Sequence, residues 1–383
     1  MRVPRIVAPT LGLSLVLSLA CSGGASPAAT ERAGAAAPPS SAGAAIADAG
    51  RHVGRELTVM SRNLYLGADL GPVMAATTPE AFLGATTVVW AMVNRNSFHV
   101  RAEAVADEIA ASRPELVGLQ EAYLWRIQSP GDAIAGGTTP ATEVVYDYVQ
   151  ELLDALRARS LHYRVAASVT LFDFEAPVAT ASPGVFDDVR LTDHGVVLAR
   201  EDVPTASPEG HVYPTLLSVG VLGRQLPVPR GWATVLAKER GQWIRFVSTH
   251  LEAFDETVRT VQAGELVQAL AGETRPVVVV GDLNSEPGTQ GAAVLVDEGG
   301  FTDTWAALYP AAAGLTCCYL EDLTLPDTLE TRIDYALFRG PFTPADAEVV
   351  GTAQVSGLWP SDHAGLVAEL RIASPGAELQ AAR

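Results

Sequence analysis

Cysteine is nearly absent from this chain: there are three in 383 residues, and Cys317 and Cys318 are neighbours. Adjacent cysteines rarely close an unstrained bridge with each other. Neither a disulfide framework nor a cysteine-rich zinc site is expected, and the pair reads as packing residues. Long apolar runs are missing as well. The longest, residues 6–20, falls short of the roughly 20 residues that carry a helix across a bilayer, which argues against a transmembrane protein. Positive charge is in short supply, with 26 Lys and Arg against 44 Asp and Glu and a formal net charge of −18. That balance opposes nonspecific affinity for polyanions, and no basic stripe interleaved with aromatics announces nucleic acid. Phosphoester chemistry stays open, because a divalent cation can supply positive charge locally. No repeat period of the solenoid kind is present.

What is present describes a globular domain behind an export signal. Hydrophobic residues make up 48% and charged residues 18%, a composition that can bury a sizeable core. Arg2 and Arg5 precede the apolar run, and residues 1–20 read as a signal peptide. Cys21 stands where similar bacterial lipoprotein signals place the cysteine that is acylated after cleavage. Ser18 occupies a position usually held by Leu, so conventional cleavage near Ala20 is the alternative. Residues 21–54, rich in Ala, Gly, Ser and Pro, read as a flexible tether. A domain over 55–372 and a tail over 373–383 complete the expected organisation. The product is expected in the bacterial cell envelope on a lipid anchor, or secreted, as a monomer that touches the membrane only through that anchor.

Residues 277–287, Val-Val-Val-Val-Gly-Asp-Leu-Asn-Ser-Glu-Pro, organise the rest. Four β-branched residues between Pro276 and Gly281 predict a short strand buried on both faces. Asp282 and Asn284 emerge at its end, where α/β sheets place their chemistry. With an extended backbone, both side chains leave on one face and Leu283 returns to the core. The pattern recurs. Residues 56–64 alternate as a half-buried strand reaching Asn63, 116–121 form an apolar strand ending on Glu121, and 244–250 deliver His250. Residues 332–338 carry Asp334 near their start, and Asp362 and His363 precede a last strand over 364–370. Helical spacing marks 78–93, 97–112, 143–157 and 257–270, the last with Val258, Val261, Leu266 and Leu270 on its buried face. Several antiparallel strands are expected over 163–247, with 189–192 and 196–199 as separate runs.

The polar residues delivered by these strands are Asn63, Glu121, His250, Asp282, Asn284, Asp334, Asp362 and His363. They are oxygen donors and two imidazoles, without a thiolate. Oxygen-rich sets select Mg2+, with Mn2+ or Ca2+ as alternatives, over zinc. Phosphoryl transfer to water uses such a set: an ion neutralises a nonbridging oxygen, a base takes a proton, and fixed donors hold the phosphorus. No Ser or Cys nucleophile has a recognisable context, so direct attack by water is expected. Taken singly, each residue also has an ordinary explanation, such as turn formation for Asp and Asn.

In chain order, Ser61-Arg62-Asn63-Leu64, Leu119-Gln120-Glu121, Thr249-His250-Leu251, Gly281-Asp282-Leu283-Asn284, Arg332-Ile333-Asp334-Tyr335 and Ser361-Asp362-His363 resemble the signature blocks of the endonuclease/exonuclease/phosphatase superfamily. That group includes deoxyribonucleases, sphingomyelinases and inositol polyphosphate 5-phosphatases. The resemblance spans residues 57–370 and implies an α/β fold, a four-layer α/β sandwich of two packed mixed sheets flanked by helices. It also implies roles. Glu121, assisted by Asn63, would bind the divalent ion. Asp282 would orient or deprotonate the attacking water, and Asn284 would hold the phosphate. His250 and His363 would contact phosphate oxygens and share acid–base work, with Asp334 or Asp362 fixing an imidazole's tautomer. Arg101 and His194 are candidates for substrate binding, against a structural ion pair and an exposed imidazole respectively. The function implied is an exported Mg2+-dependent phosphoesterase acting on a phosphodiester or phosphomonoester, whether a small molecule, a lipid headgroup or nucleic acid. A secreted endonuclease is the alternative, and a surface binding protein without turnover stands third.

Overall fold

Val277, Val278, Val279 and Val280 are fully buried in the computed structural model, which describes residues 56–372. The signal, tether and Cys21 expected within residues 1–55, and the tail over 373–383, lie outside the described residues. The described chain opens on β1 (Glu56–Asn63), passes through α1 (Gly71–Met74), α2 (Pro79–Arg95) and α3 (Phe98–Ser112), and returns as β2 (Leu116–Gln120). β3 (Leu124–Gln128) and β4 (Glu143–Asp147) precede α4 (Tyr148–Ala158). Two long strands, β5 (Tyr163–Ala179) and β6 (Phe186–Arg200), are followed by β7 (Thr205–Val212) and a hairpin of β8 (Leu217–Val221) and β9 (Arg224–Val228). β10 (Gly231–Glu239) and β11 (Gln242–His250) lead through α5 (Glu256–Ala269) to β12 (Val277–Asp282). Beyond α6 (Gln290–Ala293) come β13 (Thr302–Asp303), β14 (Asp334–Arg339), β15 (Phe342–Val350) and β16 (Gly365–Ile372).

One mixed sheet runs β15-β16-β1-β2-β6-β3-β4, with β5 paired to β6, and the other runs β13-β14-β12-β11-β10-β7. Each holds one parallel pair near its middle, β1 with β2 and β11 with β12. Parallel neighbours need a long crossover, supplied by α2 and α3 in one sheet and α5 in the other. The sheets face each other through Leu57, Val59 and Leu116 on one side and Val235, Phe246, Val278 and Val280 on the other. The first sheet's outer face packs α2, α3 and α4 through residues such as Val93, Ile109 and Leu152. The second packs α5 through Ala263 and Leu266. The result is the expected order of helix, sheet, sheet, helix. Among the described residues, no helix is long and apolar enough to cross a membrane.

Four local expectations change. β1 is buried along nearly its whole length, not half-buried, because β16 and β2 flank it and both of its faces are covered. Residues 143–147 form a strand paired with β3; the helix begins only where the Asp147 carboxylate accepts the Gln150 N–H as an N-cap. The runs at 189–192 and 196–199 are parts of one strand, β6. α5 turns Gln262, Ala263 and Leu266 inward and leaves Val261 44% exposed.

The sheets approach closely where β2 crosses β11 and β12. A Cβ on Gly118 would stand 2.4 Å from Val280 Cγ2 and 2.9 Å from Ser248 Oγ. Gly118→Ala is therefore expected to destabilise the fold by about 1–3 kcal/mol, the usual cost of overpacking, read as a lowered urea midpoint. An unchanged midpoint would show the sheets to be looser than described.

Candidate active site

The central strands finish at one edge of the sandwich. Register sets Asn63 beside Gln120, His250 beside Asp282, and Asp282 beside Asp334. Asn63 reaches both sheets: its Nδ2 lies 3.2 Å from Glu121 Oε1 and 3.0 Å from Asp282 Oδ2, while its Oδ1 accepts the Tyr65 N–H at 2.8 Å. Glu121 follows β2 at φ 54, and its Oε2 accepts the Leu66 N–H at 2.8 Å. Asn63 thus orients Glu121 through its nitrogen. Its oxygen, expected beside Glu121 as an ion ligand, accepts the Tyr65 N–H and keeps a second lone pair.

Asp282 is the hub. Its Oδ2 lies 3.4 Å from His250 Nε2 and 3.8 Å from His363 Nε2. Its Oδ1 accepts the Asn284 N–H at 2.8 Å. Leu283 returns to the core as expected, but Asn284 adopts φ 47, so the extended exit becomes a turn and its Nδ2 donates to Leu251 O at 3.0 Å. His363 Nδ1 lies 2.9 Å from Asp334 Oδ2. Of the two acids considered for fixing an imidazole, Asp334 does so. Asp362 accepts from Ser361 Oγ at 3.2 Å and lines the same cavity.

The two imidazoles differ in electrostatics. Burial, the Arg230 guanidinium and His363 push His250 well below the ordinary histidine value, and Arg230 Nη1 lies 3.0 Å from its Nδ1. Burial opposes charge on His363 too, but Asp334, Asp362 and Asp282 outweigh it and hold that imidazole well above the ordinary value. Burial raises Asp282 to about 6, against the pull of His363 and with help from Asp334. Burial likewise raises Asp362 and Asp193 to about 7. A pair of titratable groups driven apart in this way marks an acid and a base.

Two expected substrate contacts are not brought in. Arg101 is 1% exposed and gives its nitrogens to the carbonyls of Leu64, Tyr65, Asn96 and Pro360, bracing the loops behind Asn63 and Asp362. His194 turns its Nδ1 to Ala122 O at 3.2 Å, and Asp193, the preceding residue on β6, lines the cavity instead. Arg230 is a second addition. Cys317 and Cys318 are joined as a disulfide, correcting the expectation of two packing thiols. Backbone bridges from Cys317 to Thr331 and His363 hold this loop against the site.

The donors suit a hard cation. Glu121 is held by two donors at the cavity wall, and the buried oxygens Asp193 Oδ1 and Asp334 Oδ1 have no hydrogen-bond partner. Asp282, Asp334 and His363 offer three ligand atoms within 4.8 Å of one another.

A two-sheet α/β sandwich with an oxygen-rich, two-histidine cluster at one edge defines a class of metal-dependent phosphoester hydrolases. The family model described as the endonuclease/exonuclease/phosphatase family matches residues 92–363, more than half of the chain, and this protein belongs to that family. Among solved structures, the chain is similar to a family protein from Bacteroides thetaiotaomicron, at 16% identity and a TM-score of 0.52, covering 83% of this chain and 98% of that one. It is also similar to one from Bacteroides vulgatus, at 18% identity and TM-score 0.50, covering 83% and 99%. A humanized TDP2 of D. rerio matches at 19% identity and TM-score 0.48, covering 82% and 99%. No curated protein matches the chain significantly.

His363 stabilises the fold in its charged form, so that contribution is complete below the ordinary histidine value and fades as pH rises through the raised one. Asp334→Asn is expected to move the His363 titration, followed by imidazole NMR, down toward the ordinary range. An unmoved titration would contradict the pairing.

Proposed function

We propose that the protein is an exported, Mg2+-dependent hydrolase that attacks a phosphodiester or phosphomonoester directly with water. The observation that carries this reading is the convergence of Asn63 Nδ2, His250 Nε2 and His363 Nε2 on one oxygen of Asp282, at 3.0, 3.4 and 3.8 Å. Glu121 would hold the divalent cation, which when bound neutralises a nonbridging phosphoryl oxygen. Asp282, raised to about 6, takes the proton from water near neutral pH. The Asn63 N–H keeps that carboxylate aimed. His363, gripped at Nδ1 by Asp334, presents a proton at Nε2 to the phosphoryl oxygens or the leaving group. His250 stays neutral beside Arg230 and offers the second imidazole contact.

Charge favours a small or neutral-bodied phosphoester over nucleic acid. Among the described lining residues Arg230 is the one permanent cation, while Asp69, Glu321, Asp327 and Glu330 add carboxylates around the opening, which repel a polyanion. Export and anchoring at Cys21 rest on the N-terminal sequence pattern.

Hydrolysis of bis(4-nitrophenyl) phosphate is expected with Mg2+, to vanish in EDTA, and to fall by about 10²–10⁴-fold in Asp282→Ala and His363→Ala while both variants remain folded by circular dichroism. Folded variants with full turnover would overturn the assignment. In cells, Cys21→Ala is expected to shift this activity from the envelope fraction to the medium, and activity that stays in place removes the anchor.

A further inference from the structure

The catalytic cluster forms one end of a cavity of about 350 Å³, within the size range of ligand pockets, and the other end is apolar. β6 shows the change along a single face. Side chains two apart share a face of a strand, and the sequence Asp193, Leu191, Val189 runs from the acid end into hydrocarbon. At about 3.4 Å per residue that path covers about 14 Å. Asp193 and Leu191 line the main cavity, and Leu191 and Val189 line a smaller apolar cavity beyond it, which shares Leu70, Val73 and Phe174 with the first.

The β8–β9 hairpin covers this apolar end. It pairs with neither main sheet, and a lone two-stranded hairpin is marginal in water unless one face is buried. Val219, Val221, Leu226 and Val228 face the cavity, while Ser218, Gly220, Gln225 and Pro227 alternate with them. At the rim, Phe254 is 52% and Leu320 43% exposed, and both line the cavity. A hydrophobic channel that starts at the proposed phosphate position and carries no cation beyond Arg230 is poorly matched to a sugar–phosphate chain.

We infer that the substrate is a phosphoester bearing an aliphatic chain, seated with phosphorus at Asp282 and its hydrocarbon along Leu191, Phe174 and the inner face of β8–β9. This rests on the hydrolase reading above and specifies its substrate class. The chain is held by burial alone, so preference grows with length until the channel is filled.

The test is kcat/KM for methyl, butyl and octyl 4-nitrophenyl phosphates with Mg2+, in the wild type and in Leu226→Trp, which fills the channel without touching the catalytic cluster. In the wild type, kcat/KM is expected to rise about fourfold per added methylene over the first few, equivalent to ~0.8 kcal/mol each. Leu226→Trp is expected to erase that rise, with circular dichroism reporting that the variant folds. A flat series in the wild type, or a rise that survives Leu226→Trp, overturns the inference while leaving the hydrolase intact. Calorimetric binding of octylphosphonate against methylphosphonate, in the same two proteins, makes the same comparison without turnover. Absence of hydrolysis of every ester would therefore count against the parent reading alone. Phenylphosphonate is the remaining arm: binding equal to octylphosphonate would replace the aliphatic chain with an aryl group and overturn the inference as stated.

Discussion

The carboxamide of Asn63 is the tie on which the site depends. It projects from β1 in one sheet, bonds Glu121 at the end of β2 in the same sheet, and reaches Asp282 at the end of β12 in the other. Both carboxylates can serve one phosphorus only if the sheets keep a fixed stagger, and this amide measures it. Behind it, Gln120 Nε2 donates to Ser248 Oγ at 3.0 Å, and Gly118 leaves room for the side chains of Val280 and Ser248 against β2. Arg101 anchors the loops next to Asn63 and Asp362 from the far side.

The second constraint is charge held out of water. Asp282, Asp334 and Asp193 are almost fully buried, and isolated buried carboxylates are strongly disfavoured. The neighbouring groups answer with an imidazole at His363, held well above its ordinary value beside Asp334 and Asp282, and a guanidinium at Arg230 beside His250. His250, placed between Arg230 and His363, is pushed below its ordinary value by burial first and then by those two cations. One cluster therefore drives its two imidazoles in opposite directions and brings Asp282 to about 6, an arrangement suited to proton transfer.

Much of this was legible in the sequence because strand ends are local. A valine run closed by Gly-Asp predicts both a buried strand and an exit, and Glu121, His250 and Asp334 follow the same logic. Residues whose roles depend on register were not legible. Arg230 lies between β9 and β10, and its place at His250 follows from the pairing of Gly231 with His250, a contact across the sheet. Asp193 was within reach as the neighbour of the candidate His194; strand alternation allows only one of the two to face the cavity, and it is the acid. The helix expected from residue 143 failed because Val144 and Val145 carry apolar spacing compatible with either structure, and pairing with β3 decided it. The Cys317–Cys318 bond runs against the rule for neighbouring cysteines, in a loop fixed by contacts far away in sequence.

The account as a whole rests on a single hard ion held at the edge where both sheets end. An anomalous-difference map from a crystal soaked in Mn2+ tests that directly. The account predicts one strong peak in the cavity within bonding distance of Glu121. A peak at another place on the molecule, or none at millimolar Mn2+, would contradict it.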